Sequence, residues 1–305
     1  MMRAINLSFV LTTYNKLEYL RITLPLLIQA CQKDEEIVIT DGGSKDGTEE
    51  YLKGLLNEGK IHQFISEKDK GESDGFNKGM LMAKGKIIKI ISDDDVYDFK
   101  GISKCKKIML DNPKIDVLNS NGATLDMTNY NGIWSFTHIY QLFYLTRWRI
   151  NNHPFAHCGL GLMIRRDSLE KVGLFGVGFT RADAEYTLRI TSNKLNFVWY
   201  TGINFIRISN EKSNFIVFKE KIEKETEYLN GLYNFDIDKI YGDLNPSLKK
   251  VSLFTRGINK FFRGIRRLTN EKYSRDTVNS FEDAVSASSL WLKSNNHFLN
   301  RILKK

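Results

Sequence analysis

The sequence has few of the features that would place it in a specialised class of protein. Its three cysteines are far apart and lack metal-ligand spacing, which argues against a disulfide framework and favours a reducing, cytoplasmic compartment. No run of about eighteen apolar residues occurs, so no transmembrane helix is predicted. Because the first residues run directly into a strand-like segment, we expect no signal peptide. Four prolines and the lack of low-complexity tracts are typical of an ordinary globular protein.

Two common nucleotide-binding motifs are also missing. The segment GGSKDG at residues 42–47 does not have the GxGxxG spacing, and the sequence contains no GxxxxGK(S/T) phosphate loop. Both motifs hold phosphates through glycine-rich turns, and each defines a large class of enzymes. A nicotinamide-dependent dehydrogenase and a P-loop NTPase are therefore disfavoured.

The net charge of +9 is concentrated near the C-terminus. Residues 211–305 hold 18 Lys and Arg against 12 Asp and Glu, a balance of +6. Within them, residues 249–268 hold seven basic residues and no acidic one, with apolar residues at helical spacing. Two interpretations of this predicted helix stay open, docking on the main domain or peripheral contact with an anionic membrane. Nucleic acid is disfavoured as a partner, because the basic residues accompany an apolar stripe.

Strands and helices alternate along the first hundred residues. The predicted elements are a strand over 5–11, a helix over 17–30, a strand over 36–40, a helix over 48–56, a strand over 61–66, a helix over 73–83 and a strand over 86–91. This order is typical of an α/β fold with a mostly parallel sheet flanked by helices.

The remaining elements are less regular. They comprise a helix over 101–111, a strand over 115–119, an irregular substrate region over 120–157, a strand over 160–164, a helix over 182–191, two closing strands over 197–200 and 204–208, and helices without further strands after about residue 210. We therefore expect one α/β domain over residues 1–213 and a helical, basic extension over residues 214–305.

Polar segments follow three of the predicted strands. They are Thr12-Thr13-Tyr14-Asn15, the segment DGGSKDGT that begins at Asp41, and Asp93-Asp94-Asp95. Each alone is consistent with a solvated turn. Because ligands bind at the carboxyl ends of parallel strands, we expect the three segments to form one site. Three adjacent carboxylates repel one another, and Mg²⁺ or Mn²⁺ carried with a substrate's phosphates would neutralise them.

Two predicted helices carry further polar residues. Asp74 and Asn77 lie three residues apart on one helical face, although capping would also explain Asp74. At the start of the helix over 182–191, Asp183 or Glu185 offers a carboxylate that can act as a general base, or that only complements the helix dipole. His153 and His157 flank Pro154; a lone histidine is more often structural, although its near-neutral pKa leaves catalytic or ligand roles open.

Together these segments resemble glycosyltransferase family 2, whose members have the GT-A fold and use nucleotide-sugars. The resemblance covers residues 7–213, and the combination of motifs in order makes it specific. The segments that carry it are FVLTTYN, ITDGGSKDGT, EKDKGESDGFNKGMLMAKGKII, ISDDD and ADAEYTLRI. The third segment is similar to a subgroup that often assembles bacterial surface polysaccharides.

The resemblance implies a role for each site residue. Residues 12–15 contact the nucleotide, Asp41 reads the base, usually uracil, and Lys70, Asp74 and Asn77 line the donor pocket. Asp95, with Asp93 or Asp94, holds Mn²⁺ or Mg²⁺ on the diphosphate. Asp183 takes the position of the catalytic base, with Glu185 as the alternative because Tyr186 is displaced by two residues from the family pattern.

The implied activity is inverting transfer of a hexosyl or N-acetylhexosaminyl group. The donor would be a UDP-sugar, and the acceptor a glycan or a lipid-linked glycan at the inner face of the cell membrane. A sugar nucleotidylyltransferase is an alternative, but it requires a glycine-rich, basic loop near the start of the chain that the sequence lacks. A non-catalytic binding or scaffold protein on a transferase fold is a second alternative.

Overall fold

The computed structural model describes most of the chain. The described residues are 4–127, 133–139, 145, 148–150, 152–193, 195–210, 217–233, 272–274, 280–295 and 302–304. The strands are β1 (Leu7–Thr13), β2 (Glu35–Asp41), β3 (Gln63–Ser66), β4 (Ile87–Ile91), β5 (Val96–Tyr97), β6 (Val117–Asp126), β7 (Ile133–Ile139), β8 (Met163–Arg165), β9 (Phe197–Ser209), β10 (Lys272–Ser274) and β11 (Ile302–Lys304). The α-helices are α1 (Leu17–Ala30), α2 (Thr48–Asn57), α3 (Glu72–Met82), α4 (Phe99–Asp111), α5 (Leu169–Val172), α6 (Ala182–Ser192), α7 (Lys219–Tyr233) and α8 (Phe281–Asn295).

The described strands form one mixed sheet, in which eight strands follow the order β10–β7–β6–β8–β4–β1–β2–β3, while β9 pairs with β6, β5 and β11. The strands β4, β1, β2 and β3 run parallel to one another. The short strand β8 is antiparallel to both β4 and β6, and β9 runs parallel to β6. The first four strands thus have the predicted parallel arrangement, with helices between them along the chain.

The central strands are apolar on both faces. All seven residues of β1 are buried. Val10 packs in one apolar cluster with Val38 of β2 and Met80 of α3, while Phe9 and Leu11 belong to a second cluster that includes residues of α1. Burial on both faces explains why these strands read as continuous apolar runs in the sequence. The predicted α/β sheet is confirmed.

Strand β9 differs from the prediction of two closing strands. It is one strand of 13 residues, and Gly202 lies inside it. The pairing of β9 with β6 shifts in register between Ser120 and Gly122. A β-bulge bends a strand without ending it, and glycine is common at such positions. The two-strand prediction is wrong, because a local glycine signal does not distinguish a bulge from a turn.

The predicted irregular region over 120–157 contains the second half of β6 and all of β7. Asn121 of β6 donates its side-chain amide to the Thr201 carbonyl at 2.8 Å and accepts from the Trp199 indole at 3.0 Å. Strand β9 therefore supplies partners to polar residues that resemble a loop in the sequence. The loop prediction is wrong for these residues. The strand predicted over 160–164 is a 3-10 turn, Gly159–Gly161, followed by β8.

The described C-terminal segments pack on the sheet. Trp291 of α8 shares an apolar cluster with Ile206 and Ile208 of β9, and Leu229 of α7 lies in a cluster that includes residues of α6. The strands β10 and β11 pair with β7 and β9, so the expectation of no strand after residue 210 is wrong. Each has three residues, which is too short to leave a recognisable pattern.

Two expectations about the C-terminal part stay predictions. The basic segment 249–268 lies outside the described residues. The division between residues 213 and 214 is not marked by a separate core, since the described helices α7 and α8 bury apolar residues against the preceding part. Across the part of the chain that the structure describes, none of the helices combines the length and apolar character that a membrane span needs.

Candidate active site

The carboxyl ends of β1, β2 and β4 meet at one edge of the sheet. Thr13 ends β1 and pairs in register with Asp41, which ends β2. The Gly42 amide donates to the Thr13 carbonyl at 3.0 Å. The Thr13 hydroxyl donates to Asp93 Oδ2 at 2.8 Å. The structure thus brings the three predicted polar segments into direct contact.

Asp41 is buried and held by three donors. It accepts from the Ser44 amide at 3.0 Å, from the Ser66 hydroxyl at 2.6 Å and from the Ser44 hydroxyl. A carboxylate has about four acceptor positions, so one more donor can be accommodated. Asp41 is therefore fixed in orientation at the end of β2, with acceptor capacity for one further hydrogen bond.

An exposed aromatic ring lies next to Asp41. The Tyr14 side chain is 58% exposed. A side chain at Gly42 would come within 2.7 Å of Asp69 Oδ2 and 3.2 Å of the Tyr14 ring, so the glycine keeps the space between them open. An exposed ring beside carboxylates can stack on a base and hydrogen-bond its edge. Burial raises the pKa of Asp69. Sequence reasoning gave Asp69 no role, although it lies in the quoted segment EKDKG.

Asn15 and Thr12 shape the turn that carries Tyr14. Asn15 has a φ of 51°, a left-handed conformation that Asn tolerates better than most residues. Its side chain accepts from the Lys45 amide at 2.8 Å, which joins the first polar segment to the second. A Cβ at Gly75 of α3 would collide with the Thr12 hydroxyl, so helix α3 begins directly against the end of β1.

In the acidic segment, both carboxylate oxygens of Asp95 accept hydrogen bonds. Asp95 Oδ1 accepts from the Ile208 backbone amide of β9 at 2.8 Å, and Oδ2 accepts from the Ser92 hydroxyl. Burial, and then the charge of Asp94, raise the pKa of Asp93 to about 8 and the pKa of Asp95 to about 7. Both carboxyl groups are therefore harder to ionise than a solvated aspartate, because burial and a neighbouring negative charge disfavour the charged form.

Lys16, which sequence reasoning missed, supplies positive charge to the segment. Its Nζ lies 2.5 Å from Asp94 Oδ2, and Asn210 donates to the same oxygen at 3.0 Å. Burial opposes the charge of Lys16, but Asp94 and then Asp93 outweigh this effect, so the pKa of Lys16 is raised. The signal was present in the sequence, because Lys16 directly follows the TTYN segment.

The ligand atoms at this edge suit a hard divalent cation. Asp93, Asp94 and Asp95 offer carboxylate oxygens, which Mg²⁺ and Mn²⁺ prefer. Among the described residues, no three His, Cys, Asp or Glu side chains converge as a complete ligand set. A cation that takes its other ligands from phosphates and water needs only one or two carboxylates. Asp95, with Asp93 or Asp94, therefore fits such a cation.

The three predicted donor-pocket residues have different surroundings. Lys70 is exposed, and its amide donates to Asp74 Oδ2 at 3.0 Å. Asn77 is buried; its Nδ2 donates to the Phe175 carbonyl at 2.9 Å, and its Oδ1 accepts from the Phe175 amide at 2.8 Å. Asn77 thus ties α3 to the segment that precedes α6, whereas Asp74 organises the loop that carries Lys70.

The two candidate bases on α6 are in different states. Glu185 is buried and forms a two-point ion pair with Arg189 at 2.9 and 2.7 Å. Asp183 is half-buried, and its oxygens accept from the Gly159 amide at 3.3 Å and the Ala184 amide at 2.7 Å. Neither of those donors is a cation. The geometry therefore favours Asp183 over Glu185 as the group that can accept a proton.

Cys158 directly precedes the 3-10 turn Gly159–Gly161, which contacts Asp183. Burial, and then the charge of Asp183, raise the pKa of its thiol to about 12, and Asp95 acts in the same direction. The turn that follows Cys158 joins α6 to the sheet, because the Gly159 amide donates to Asp183 at 3.3 Å and the Leu160 carbonyl accepts from Lys89 of β4.

His157 belongs to the core and not to this edge. Its Nδ1 pairs with Asn119, and its ring stacks on Phe197 with a centroid separation of 5.3 Å. Burial lowers its pKa to about 3, so the imidazole is neutral. The structural interpretation of His157 agrees with these contacts.

A family model places the chain among known proteins. The model of glycosyl transferase family 2 matches residues 8–173, more than half of the chain. The chain belongs to glycosyl transferase family 2. In this family 2 chain the match begins in β1 and ends just after α5, so it contains Asp41 and the acidic segment and stops before Asp183. The resemblance found in the sequence is confirmed.

Curated relatives match this family 2 chain over part of their length. A Nostoc sp. protein described as an uncharacterized glycosyltransferase is 24% identical over 134 residues, which are 41% of this chain and 41% of that protein. The poly-beta-1,6-N-acetyl-D-glucosamine synthase of Staphylococcus epidermidis is 27% identical over 119 residues, 38% of this chain and 28% of that protein. The chain therefore spans less than half the length of these relatives.

Solved structures share the fold. S. aureus TarS 1–349 in complex with UDP-GlcNAc has a TM-score of 0.53 at 15% identity, covering 69% of this chain and 60% of that chain. The mannosyltransferase PcManGT from Pyrobaculum calidifontis in complex with GDP-Man and Mn²⁺ has a TM-score of 0.50 at 13% identity, covering 97% of this chain and 88% of that chain. This likeness confirms the predicted GT-A-like α/β fold.

Proposed function

We propose that the chain transfers a sugar from a nucleotide-sugar to a hydroxyl group of a glycan or lipid-linked glycan, with inversion at the anomeric carbon. One observation carries the proposal. The ends of β1 and β2 are in direct contact with the acidic segment through Thr13, and the turn that contacts Asp183 is bound to β4, the strand that leads into that segment. The proposal assigns the base to Asp183, the diphosphate site to the acidic segment and the nucleoside site to the end of β2.

The nucleoside site would consist of Asp41, Asp69 and the turn at residues 12–15. The exposed Tyr14 ring stacks on the base, and the buried Asp41 carboxylate accepts from a base N–H. We propose uracil as the base. The UDP-GlcNAc bound in TarS supports this choice, whereas the GDP-Man bound in PcManGT keeps guanine as a competing outcome of the test.

The diphosphate site would lie at the acidic segment. Asp95, with Asp93 or Asp94, would hold Mn²⁺ or Mg²⁺ there, and the bound cation would supply positive charge to the departing diphosphate. Lys16, now paired with Asp94, adds a fixed positive charge at the same place. The buried carboxylates Asp93 and Asp95 support a cation, because buried negative charges that repel one another need a positive partner.

The transfer step would use Asp183 as the general base. Asp183 takes the proton from the acceptor hydroxyl as its oxygen attacks the anomeric carbon, and the bond to the diphosphate oxygen breaks on the opposite face. One displacement of this kind inverts the anomeric centre, as in the inverting glycosidases. Glu185 stays in its ion pair with Arg189 and supports the helix.

The acceptor is proposed as a growing surface polysaccharide or its lipid-linked precursor. The similarity to the poly-beta-1,6-N-acetyl-D-glucosamine synthase supports a polysaccharide product. A lipid-linked acceptor would give the basic segment 249–268 a role at the inner membrane surface, where seven basic residues favour anionic lipid.

A donor screen tests the proposal. The purified protein is incubated with UDP-, GDP- and dTDP-sugars, with Mn²⁺, Mg²⁺ or EDTA, and the release of each nucleoside diphosphate is measured. We expect cation-dependent release of UDP, and an inverted anomer in the product when an acceptor is present. Pyrophosphate release from a nucleoside triphosphate would instead identify a nucleotidylyltransferase. Neither turnover nor nucleotide binding with any donor would identify a scaffold.

A further inference from the structure

The residues that lead into α6 form hydrogen bonds with another helix. The residue before α6 is Arg181, and it provides no side-chain cap. The first amides of a helix have no partner within the helix, so they require acceptors from elsewhere. Asp183 lies in this first turn, two residues beyond Arg181. Whatever holds the start of α6 therefore also holds the candidate base.

Glu225 of α7 supplies acceptors for the residues at this start. Its Oε1 accepts from the Thr180 amide at 2.8 Å, and its Oε2 accepts from the Arg181 amide at 2.8 Å. The Glu225 side chain is buried, so these are charge-assisted hydrogen bonds shielded from water. Each oxygen thus accepts from one of two consecutive backbone amides, and Lys221 Nζ of the same helix lies 3.6 Å from Oε1.

A second contact links the same two helices. The Arg181 guanidinium donates to the Thr226 hydroxyl at 2.6 Å, and that hydroxyl donates to the Ile222 carbonyl within α7 at 2.7 Å. Further along α6, the Tyr233 hydroxyl lies 3.4 Å from Glu185 Oε1. Helix α7 therefore contacts α6 on both sides of Asp183.

We infer that α7 is part of the catalytic unit, with Glu225 as a positioning residue that sets the place of Asp183 through the backbone of Thr180 and Arg181. This inference rests on the proposed function, because it assigns the consequence to the base of that reaction. The catalytic unit thereby extends beyond residue 213, whereas the sequence predicts that α7 belongs to a separate extension. A displacement of about 1 Å at a reacting group can cost about a hundredfold in rate.

The substitution Glu225→Gln tests the inference on the full chain. The variant keeps the shape of the side chain but places an NH₂ group against one of the two backbone donors. Glu227→Gln is the matched control, because Glu227 is an exposed glutamate on the same helix. For each protein we would measure hydrogen exchange in residues 179–184, the affinity for UDP with Mn²⁺, and kcat and KM of transfer.

Glu225→Gln should exchange faster at Thr180 and Arg181 and lose about tenfold or more in kcat. Its affinity for UDP with Mn²⁺ should stay within about twofold of the wild type, because the nucleoside and cation residues are on other elements. Thr226→Val removes the Arg181 contact alone and should lower kcat by a smaller factor. Glu227→Gln should match the wild type in every measurement.

Three outcomes would overturn the inference. They are unchanged exchange in Glu225→Gln, faster exchange with an unchanged kcat, and a loss of UDP affinity as large as the loss of kcat in a variant whose thermal stability is unchanged. If Glu225→Gln does not fold, an unchanged kcat in Thr226→Val would overturn it. Wild-type protein that transfers no sugar from any donor would contradict the proposed function itself. Unchanged exchange in Glu225→Gln would overturn only the inference about Glu225 and leave the proposed function intact.

Discussion

The two sides of the candidate site are held by different kinds of structure. On the donor side, Asp41 ends β2 and Asp93 lies two residues after β4, and the backbone pairing of both strands with β1 sets their positions. On the acceptor side, Asp183 lies on a helix whose start is fixed by the side chain of Glu225, 42 residues further along the chain. The comparison teaches that a binding edge can be specified locally, while the placement of a base depends on distant contacts.

The largest expected effect is on the acceptor side. Asp183→Asn removes the proton acceptor while keeping the size of the side chain. General base catalysis contributes about 10²–10⁴ in rate, so kcat should fall by that factor. UDP affinity should remain at the wild-type level, which isothermal titration calorimetry can measure.

Asp167→Asn is the control, because Asp167 is an exposed aspartate in a 3-10 turn away from α6. Normal turnover by Asp183→Asn would show that the base lies elsewhere. A loss of UDP binding in that variant would show that the two sides are not separable.

A smaller effect is expected at Lys89, in the sheet beneath both sides. This lysine is fully buried in β4 and donates to the Leu160 carbonyl. Burial lowers its pKa from 10.5 to about 7. Between these two values the unfolded chain binds more protons, so the contribution of Lys89 to the free energy of unfolding rises with pH.

Lys89→Met removes this titration. The difference in unfolding free energy between wild type and Lys89→Met should therefore move in favour of the wild type by about 2 kcal/mol from pH 7 to pH 9. Urea denaturation at the two pH values measures it. A difference that stays constant with pH would mean that Lys89 keeps an ordinary pKa.

A comparable or smaller effect is expected where the two sides are joined. Asn77→Ala leaves the amide and carbonyl of Phe175 without their partner. Buried polar groups that lose a partner cost about 1–2 kcal/mol, which chemical denaturation can detect. Asn57→Ala, at an exposed position in α2, is the control. Unchanged stability in Asn77→Ala would mean that water replaces the side chain.

The smallest effect is expected on the surface of α4. Lys107 and Asp111 form an ion pair at 2.7 Å, with both side chains largely exposed. Exposed pairs contribute about 0–1 kcal/mol, and helical pairs of this spacing about 0.3–0.5. Lys107→Ala should therefore leave transfer kinetics unchanged and shift stability by less than about 0.5 kcal/mol. A change in kcat would show long-range coupling that the contacts do not explain.

The sequence predicted the donor side well because its signals are local. Helix α1 has the predicted bounds, residues 17–30, and the predicted strands 36–40 and 86–91 match β2 and β4 within a residue. In each case, apolar spacing and the following polar turn occur within about fifteen residues. The polar turns also contain the family motifs, so the same residues indicate both their structure and their chemistry.

The features that were missed depend on partners far along the chain. Asn121 reads as a loop residue until Trp199 and Thr201 supply its hydrogen bonds. The role of Lys16 depends on its ion pair with Asp94, and the role of Glu225 depends on its hydrogen bond with the Thr180 amide. No periodic pattern records a pairing between single residues this far apart, and the three-residue strands β10 and β11 are too short to produce one.

Ile208 gives the acidic segment a connection to the end of the chain. Its backbone amide donates to Asp95, while its side chain lies in the apolar cluster that α8 closes with Trp291. One residue thus serves two neighbours that are far apart in the sequence. Substitutions among the residues that pack beneath β9 should therefore depend on the carboxylates that β9 contacts. A recombination that exchanges the C-terminal segment should exchange β9 as well.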